Sequence, residues 1–283
     1  MSLITISSPF GSGGKEIAQF VANGLNMEIY DDRKLLELAP EAGIQQEDLK
    51  DLRRPGFLDR IFSNKPQVYL EYMDSIIFEV SRQGNGVIIG HGSQMLLQDF
   101  GCALHVRIQA TEASRIEYVT QKRGLSREAA RKLIHKLDSK QRGFFRLAFG
   151  KDLNDPSLYD LIINCEKLGH EVAARLIIET ANAEEIHACS LTAMEAMEKL
   201  SLVKKVQAAL LNDNLDDNML TVEVSEMGQV NLSGLTHSQE LLNRIVEVVH
   251  KVPGVSTVHS EIVVGTSLYA GNLNQIRGRN TDR

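Results

Sequence analysis

Apolar and polar positions keep one rhythm up to about residue 185 and another beyond it. Leu3 to Ile6 reads as a short buried strand and Gly11 to Gly14 as a turn. Ile17, Phe20, Val21 and Leu25 then recur at helical spacing, so the turn feeds a helix. Met27 to Tyr30 reads as a second strand, and Arg33 to Leu38 opens another helix. Val68, Tyr72, Ile76 and Val80 share one face of a helix over Gln67 to Val80. Gly86 to Gly90 and Ala103 to Ile108 read as strands, and Thr111 to Gly124 and Ser126 to Arg142 as two helices. Leu161 to Asn164 reads as the last strand and Glu171 to Thr180 as the closing helix. Strands alternating with helices predict an α/β fold, a parallel sheet with helices on both faces.

After about residue 190 the order becomes helix, strand, strand, helix, strand. Met194 to Leu211 is helical, while Leu220 to Val224 and Gln229 to Ser233 alternate as half-buried strands do. Ser238 to His250 is amphipathic, and Val258 to Val264 is a third strand after the Pro253-Gly254 turn. The chain is therefore expected to divide into a unit over 1–190, a small α+β unit over 200–265, and a polar, disordered tail over 266–283.

Composition narrows the function. A net charge of −6 argues against a nucleic-acid partner, because neutralising phosphates takes a clustered excess of Lys and Arg. No run reaches the length of a membrane span, and no secretory signal is read, so a cytoplasmic protein is expected. Cys102, Cys165 and Cys189 are odd in number and widely spaced, and read as three reduced thiols. His135, His170, His187, His237, His250 and His259 show no ligand spacing.

The candidate chemistry starts at Ser8-Pro-Phe-Gly-Ser-Gly-Gly-Lys-Glu16. A phosphate loop points successive backbone N–H groups at one anion, and the following helix adds its positive end. The usual G-x-x-x-x-G-K-[ST] pattern adds a lysine and a hydroxyl for magnesium. Here Ser8 stands where the first glycine would be. Gly14 takes the lysine's slot, Lys15 follows one place late, and Glu16 replaces the hydroxyl. The pattern alone leaves a phosphate cradle and a purely structural turn both open.

The segments GSGGKEIA, IYDDRKLLELA, VIIGHGSQMLL, the basic stretch from Leu104 to Phe145, and GKDLNDPSLYDLIINCEKLG follow in order. Together, over about residues 1 to 185, they resemble the cytidylate-kinase-like family of P-loop proteins. That family carries G-S-G-G-[KR]-E-I-A as its own loop variant. Val222 to Gly234 and Val252 to Ser260 resemble a BON domain. The resemblance implies ATP and Mg2+ as cofactors, a nucleoside monophosphate such as CMP as substrate, and a helical lid. It also implies a protein or small-ligand partner for the BON-like unit. Gly11, Ser12, Gly13, Gly14, Lys15 and Glu16 would hold the donor phosphates. Glu16 would hold the metal, or else serve only the helix dipole. Asp31, Asp32, Arg33, Gly90, His91 and Gly92 would face the acceptor, with His91 where many relatives carry an arginine. Arg142 and Arg146, expected where two lid helices meet, would join Lys15 in neutralising transition-state charge. The D-P-S-x-Y-D match at Asp155 to Asp160 implies a turn that positions the following strand. Three readings stand: a nucleotide kinase, a nucleotide-binding pseudokinase whose occupancy the BON-like unit senses, or an assembly protein in which both units serve contacts.

Overall fold

The computed structural model describes residues 3–40, 66–186, 188–215 and 219–265. Strand β1 (Leu3–Ser7) is buried along its whole length, as a strand covered on both faces must be. It pairs in parallel with β3 (Gly86–Ile89) on one side and β4 (Ala103–Gln109) on the other. The edges are β2 (Ile29–Tyr30) and β5 (Leu161–Asn164), also parallel, in the order β2-β3-β1-β4-β5. All five strands end at one edge of the sheet, where open parallel sheets bind ligands.

Alternation along β1 sends Ile4 and Ile6 to one face and Leu3 to the other. On the first face they meet Ile17 and Val21 of α1 (Gly14–Leu25) and Ala173 and Ile177 of α7 (Cys165–Ala181). On the second, Leu3 and Ile88 meet Leu35 of α2 (Asp32–Leu38), Ile76 and Ile77 of α3 (Pro66–Ser81), and Leu97 just after α4 (Ser93–Leu96). The α3 face expected from the sequence is buried throughout. Helices α5 (Glu112–Arg123) and α6 (Arg127–Phe149) form a hairpin with its own small core of Ile116, Val119, Ala130 and Ile134.

Several boundaries differ from the sequence reading. α6 runs to Phe149 rather than Arg142, because Phe144 and Phe145 are buried and anchor its last turns. Gly150, at φ 64°, ends it. Arg142 and Arg146 therefore lie on one continuous helix, not where two meet. α7 begins at Cys165, capped by Asn164, and kinks at Gly169. β2 is only two residues long. Asp155 caps the short turn Pro156–Leu158, and Asp160 accepts the His105 N–H at 2.7 Å. The Asp155–Asp160 segment thus does position β5.

The C-terminal unit joins β6 (Leu220–Val224), β7 (Gln229–Thr236) and β8 (Thr257–Val264) in the order β6-β7-β8, the first pair antiparallel and the second parallel. α9 (Gln239–His250) covers this sheet through Ile245, Val248 and Val249. α8 (Leu191–Asn212) belongs to both units. Leu202, Val206 and Leu210 enter the C-terminal core, while Met197 and Ala208 pack into the core around α3. Ser201 Oγ donates to the Ser75 carbonyl at 3.0 Å, and Lys204 meets Glu71 at 2.8 Å and Asp74 at 3.4 Å.

The expectation of three reduced thiols is corrected. Cys102 and Cys189 form a disulfide across 87 residues of sequence, and Cys165 alone is free and buried. Tertiary packing brings the chain ahead of α8 beside the start of β4, and no spacing rule could reveal that. The expected disordered tail over 266–283 and His187 lie outside the described residues. No described helix is long and apolar enough to cross a membrane.

Candidate active site

The turn between β1 and α1 has the geometry of an anion cradle. Gly11 and Gly13 sit at φ 86° and 75°, a region glycine enters freely and other residues rarely do. Gly13 is the residue before α1, so the first N–H groups of that helix, which have no intrahelical acceptor, face out of its N-terminus. Ser12 is buried, and its hydroxyl donates to the Pro9 carbonyl at 2.8 Å, which closes the loop on itself. A Cβ on Gly11 would lie 2.9 Å from Val119 and 3.2 Å from the Arg115 carbonyl, so α5 lies directly against the loop.

Gly14 is small for a different reason. Its backbone is helical, but a Cβ there would fall on the Ser8 hydroxyl. Ser8 in place of glycine and Gly14 in place of lysine are therefore two halves of one change. Lys15 turns away to Asp31, Nζ to Oδ2 at 2.6 Å. Asp31 also caps α2 through the Arg33 and Lys34 N–H groups. Burial works to raise the Asp31 carboxyl, and Lys15 with those N–H groups outweighs it and holds the carboxyl below its ordinary range. Glu16 accepts a hydrogen bond from the Tyr118 hydroxyl and meets Lys122 at 3.5 Å. Its burial is likewise outweighed, by Tyr118, the backbone and Lys122, so the carboxyl titrates low.

A cavity of about 780 Å³ opens in front of the loop. Its lining takes in Gly11, Gly13, Gly14, Lys15 and Glu16 from the loop, Lys122 and Arg123 from α5, and Lys140 and Phe144 from α6. Gln141 donates from α6 to the Ser8 carbonyl at 3.2 Å, so the helical hairpin is docked on the loop. The Arg123 guanidinium lies 4.9 Å from the Phe10 ring centre. Beside the cavity, Arg115 is buried and pairs with Asp138 at 2.6 Å; burial pushes the Asp138 carboxyl up despite that partner. Arg107 is buried too, donating to Ser7 Oγ at 2.7 Å and to Asn154 Oδ1 at 3.2 Å.

On the acceptor side Asp32, Gly90, His91 and Gly92 line the same cavity. Gly90, His91 and Gly92 all have positive φ, at 74°, 58° and 72°, and His91 Nε2 meets Asp32 Oδ1 at 2.7 Å. A Cβ on Gly92 would run into the Phe149 ring, which ties this turn to the end of α6. Arg33 points to solvent, within 4.0 Å of Glu37. Arg142 and Arg146 are exposed, and neither reaches the cavity wall. The structure thus brings together the loop, Lys15, Glu16, Asp32 and the Gly90–Gly92 turn, and leaves those three arginines outside.

The family model "Cytidylate kinase-like family" matches residues 3–167, more than half of the chain. The chain belongs to the cytidylate kinase-like family. A BON domain model matches residues 199–266. A cytidylate kinase of Ignicoccus hospitalis is 26% identical over 178 residues, covering 62% of this chain and 97% of that protein. One of Staphylothermus marinus is 28% identical over 188 residues, covering 63% and 96%. An uncharacterized protein of Eubacterium ventriosum shares the fold, with a TM-score of 0.53 at 19% identity over 64% of this chain and 98% of that one.

Family membership implies a magnesium ion, and the donor set can be weighed against it. The described residues hold no cluster of three or more His, Cys, Asp or Glu able to cage a metal. Glu16 is already engaged with an ammonium and a phenol. Asp32 faces the cavity. Such a set fits magnesium that keeps its waters and is carried in on phosphate oxygens, as this ion prefers. The features that sequence reasoning missed are the pairs closed through space: Ser8 with Gly14, Tyr118 and Lys122 with Glu16, Arg107 with Ser7. The only sequence signal for them was the double departure from the usual loop at Ser8 and Gly14.

Proposed function

We propose that this cytidylate kinase-like unit transfers the terminal phosphoryl group of ATP to a nucleoside monophosphate, CMP first among the candidates. The observation that carries the reading is the glycine cradle at the N-terminus of α1, opening into a cavity walled by Lys122, Arg123 and Lys140. Similarity to the cytidylate kinases supports this reaction class. Phosphoryl transfer asks little covalent chemistry of the protein; it asks for two phosphates in line, charge neutralised and water kept out. The loop N–H groups would hold the donor phosphates. The hairpin of α5 and α6 would cover them, with Phe144 excluding water. Asp32, held by His91, would face the acceptor. Magnesium, when bound with the nucleotide, would supply further charge neutralisation on the phosphates.

A second reading, binding without efficient turnover, is favoured by Gly14 in the lysine slot and by the outward-facing Arg142 and Arg146. Turnover of ATP·Mg with a panel of monophosphates, beside calorimetric titration of ATP, separates the two. ADP formation that depends on CMP is the expected result. ATP binding without turnover on any acceptor supports the second reading, and the absence of binding to the intact chain overturns both.

A further inference from the structure

The C-terminal sheet leaves one long edge open. β8 runs for eight residues, Thr257–Val264, and among the described residues no strand pairs with its outer side. Toward β7, Thr257 donates its N–H to the Gly228 carbonyl at 3.1 Å, and Gly265, just past the strand, donates to the Thr236 carbonyl at 2.8 Å. By strand alternation the N–H and C=O groups of Val258, Ser260, Ile262 and Val264 then point to the open edge. There the Ile262 N–H turns to the Ser260 hydroxyl of its own strand, at 3.4 Å. Open edges are ordinarily blunted by proline, by lysine, by a bulge or by short length. The edge strands of the five-stranded sheet are short, at two and four residues. β8 is long and contains neither proline nor lysine.

The side chains along that edge decide what fits it. Ile262 faces the core under α9, while His259, Glu261 and Val263 are exposed on the other face of the sheet. Their neighbours on β7 are Asn231, Ser233 and Leu235, so His259 and Glu261 meet no charge across that pair. We propose that β8 pairs antiparallel with β8 of a second copy of this chain, about a twofold axis at Ser260, joining two three-stranded sheets into one. Paired strands must keep like faces together, so such an axis passes through a residue and not between two. An axis at His259 or at Glu261 sets that residue opposite itself, and at Glu261 the two carboxylates repel. An axis at Ser260 sets His259 of each copy opposite Glu261 of the other. The open backbone groups of Val258, Ser260 and Ile262 then all find partners. His259 with Glu261 becomes a pair without backbone hydrogen bonds, the kind whose side chains approach closest. Thr257 meets Val263 and covers part of a side chain that is otherwise 59% exposed. Axes at Val258 or Ile262 shorten the overlap. The assembly does not depend on phosphoryl transfer.

Sedimentation equilibrium of the full chain across the micromolar range tests this. The wild-type chain should pass from monomer to dimer as its concentration rises. His259→Glu places a carboxylate opposite Glu261 at both pairs. It should weaken dimerisation about tenfold or more, the range for turning two favourable cross-strand pairs into like-charge ones. Adding Glu261→His exchanges the two groups and should restore the dimer, which separates lost pairing from a damaged sheet. Ser260→Cys should give a covalent dimer on mild oxidation and Thr257→Cys far less, because the axis brings residue 260, and not residue 257, beside its own copy. Both positions are exposed, so both variants should melt with the parent protein. A wild-type chain that stays monomeric throughout overturns the inference. So does a dimer that His259→Glu leaves intact, or one that the double exchange fails to restore.

Discussion

Gly13 combines a left-handed backbone with a neighbour from far along the chain. Its φ is 75°, and a Cβ there would fall on the imidazole of His170, at the kinked start of α7. A side chain at this position meets both backbone strain and His170 before any phosphate arrives. We expect Gly13→Val to abolish ATP binding in calorimetry. Gly13→Ala should recover part of the loss when combined with His170→Ala, because half of the obstruction is then gone. If the double variant binds no better than Gly13→Ala alone, the obstruction lies with the backbone or the phosphate itself. The candidate residues at this scale were legible in the sequence, because a glycine-rich turn between a strand and a helix is a local pattern. What each one touches was not. Lys15 pairs with Asp31 across the start of α2, and Glu16 meets Tyr118, 102 residues away.

Among the elements, the packing of α8 on α3 shows how far a local pattern carries. The buried face of α3 follows helical period in the sequence; the partner that buries it does not. Between the two helices Asp74 lies beside Lys204 and Glu71. Burial drives the Asp74 carboxyl from the ordinary 3.8 to about 7, Lys204 opposing and Glu71 reinforcing the rise. Between those values the folded chain keeps a proton that the unfolded chain has released. The contribution of Asp74 to stability is therefore greatest below about pH 4 and is lost as pH climbs through 7. The Lys204 ammonium is held above its ordinary range, burial opposing but Asp74 and Glu71 prevailing, so it stays charged throughout that window. Asp74→Asn removes the titration. It should raise the melting temperature at pH 8 by about 2–4 °C per kcal/mol gained, with the difference shrinking towards pH 5 in scanning calorimetry. A difference independent of pH would show that Asp74 is not the titrating group.

For the whole molecule, the two units are joined by a helix that each needs. Met197 is fully buried in the N-terminal core, and burial of one methionine side chain is worth about 1.5–3 kcal/mol. A fragment ending at residue 190 should therefore melt well below one ending at residue 213, although both keep the whole five-stranded sheet. Equal melting temperatures would return the boundary to residue 190, where the change in sequence pattern placed it. The sequence by itself determined the strand–helix alternation, the parallel sheet, the glycine-rich turn between β1 and α1, and the second α+β unit. These rest on periods of two and 3.6 residues and on turn residues, and both are properties of a short window. Tertiary structure alone decided that Cys102 bonds Cys189, that α8 serves two cores, that Arg33, Arg142 and Arg146 face away from the cavity, and that Lys122 meets the loop. Each of these follows from where separately folded elements dock, and docking depends on the shapes of whole faces rather than on any spacing along the chain.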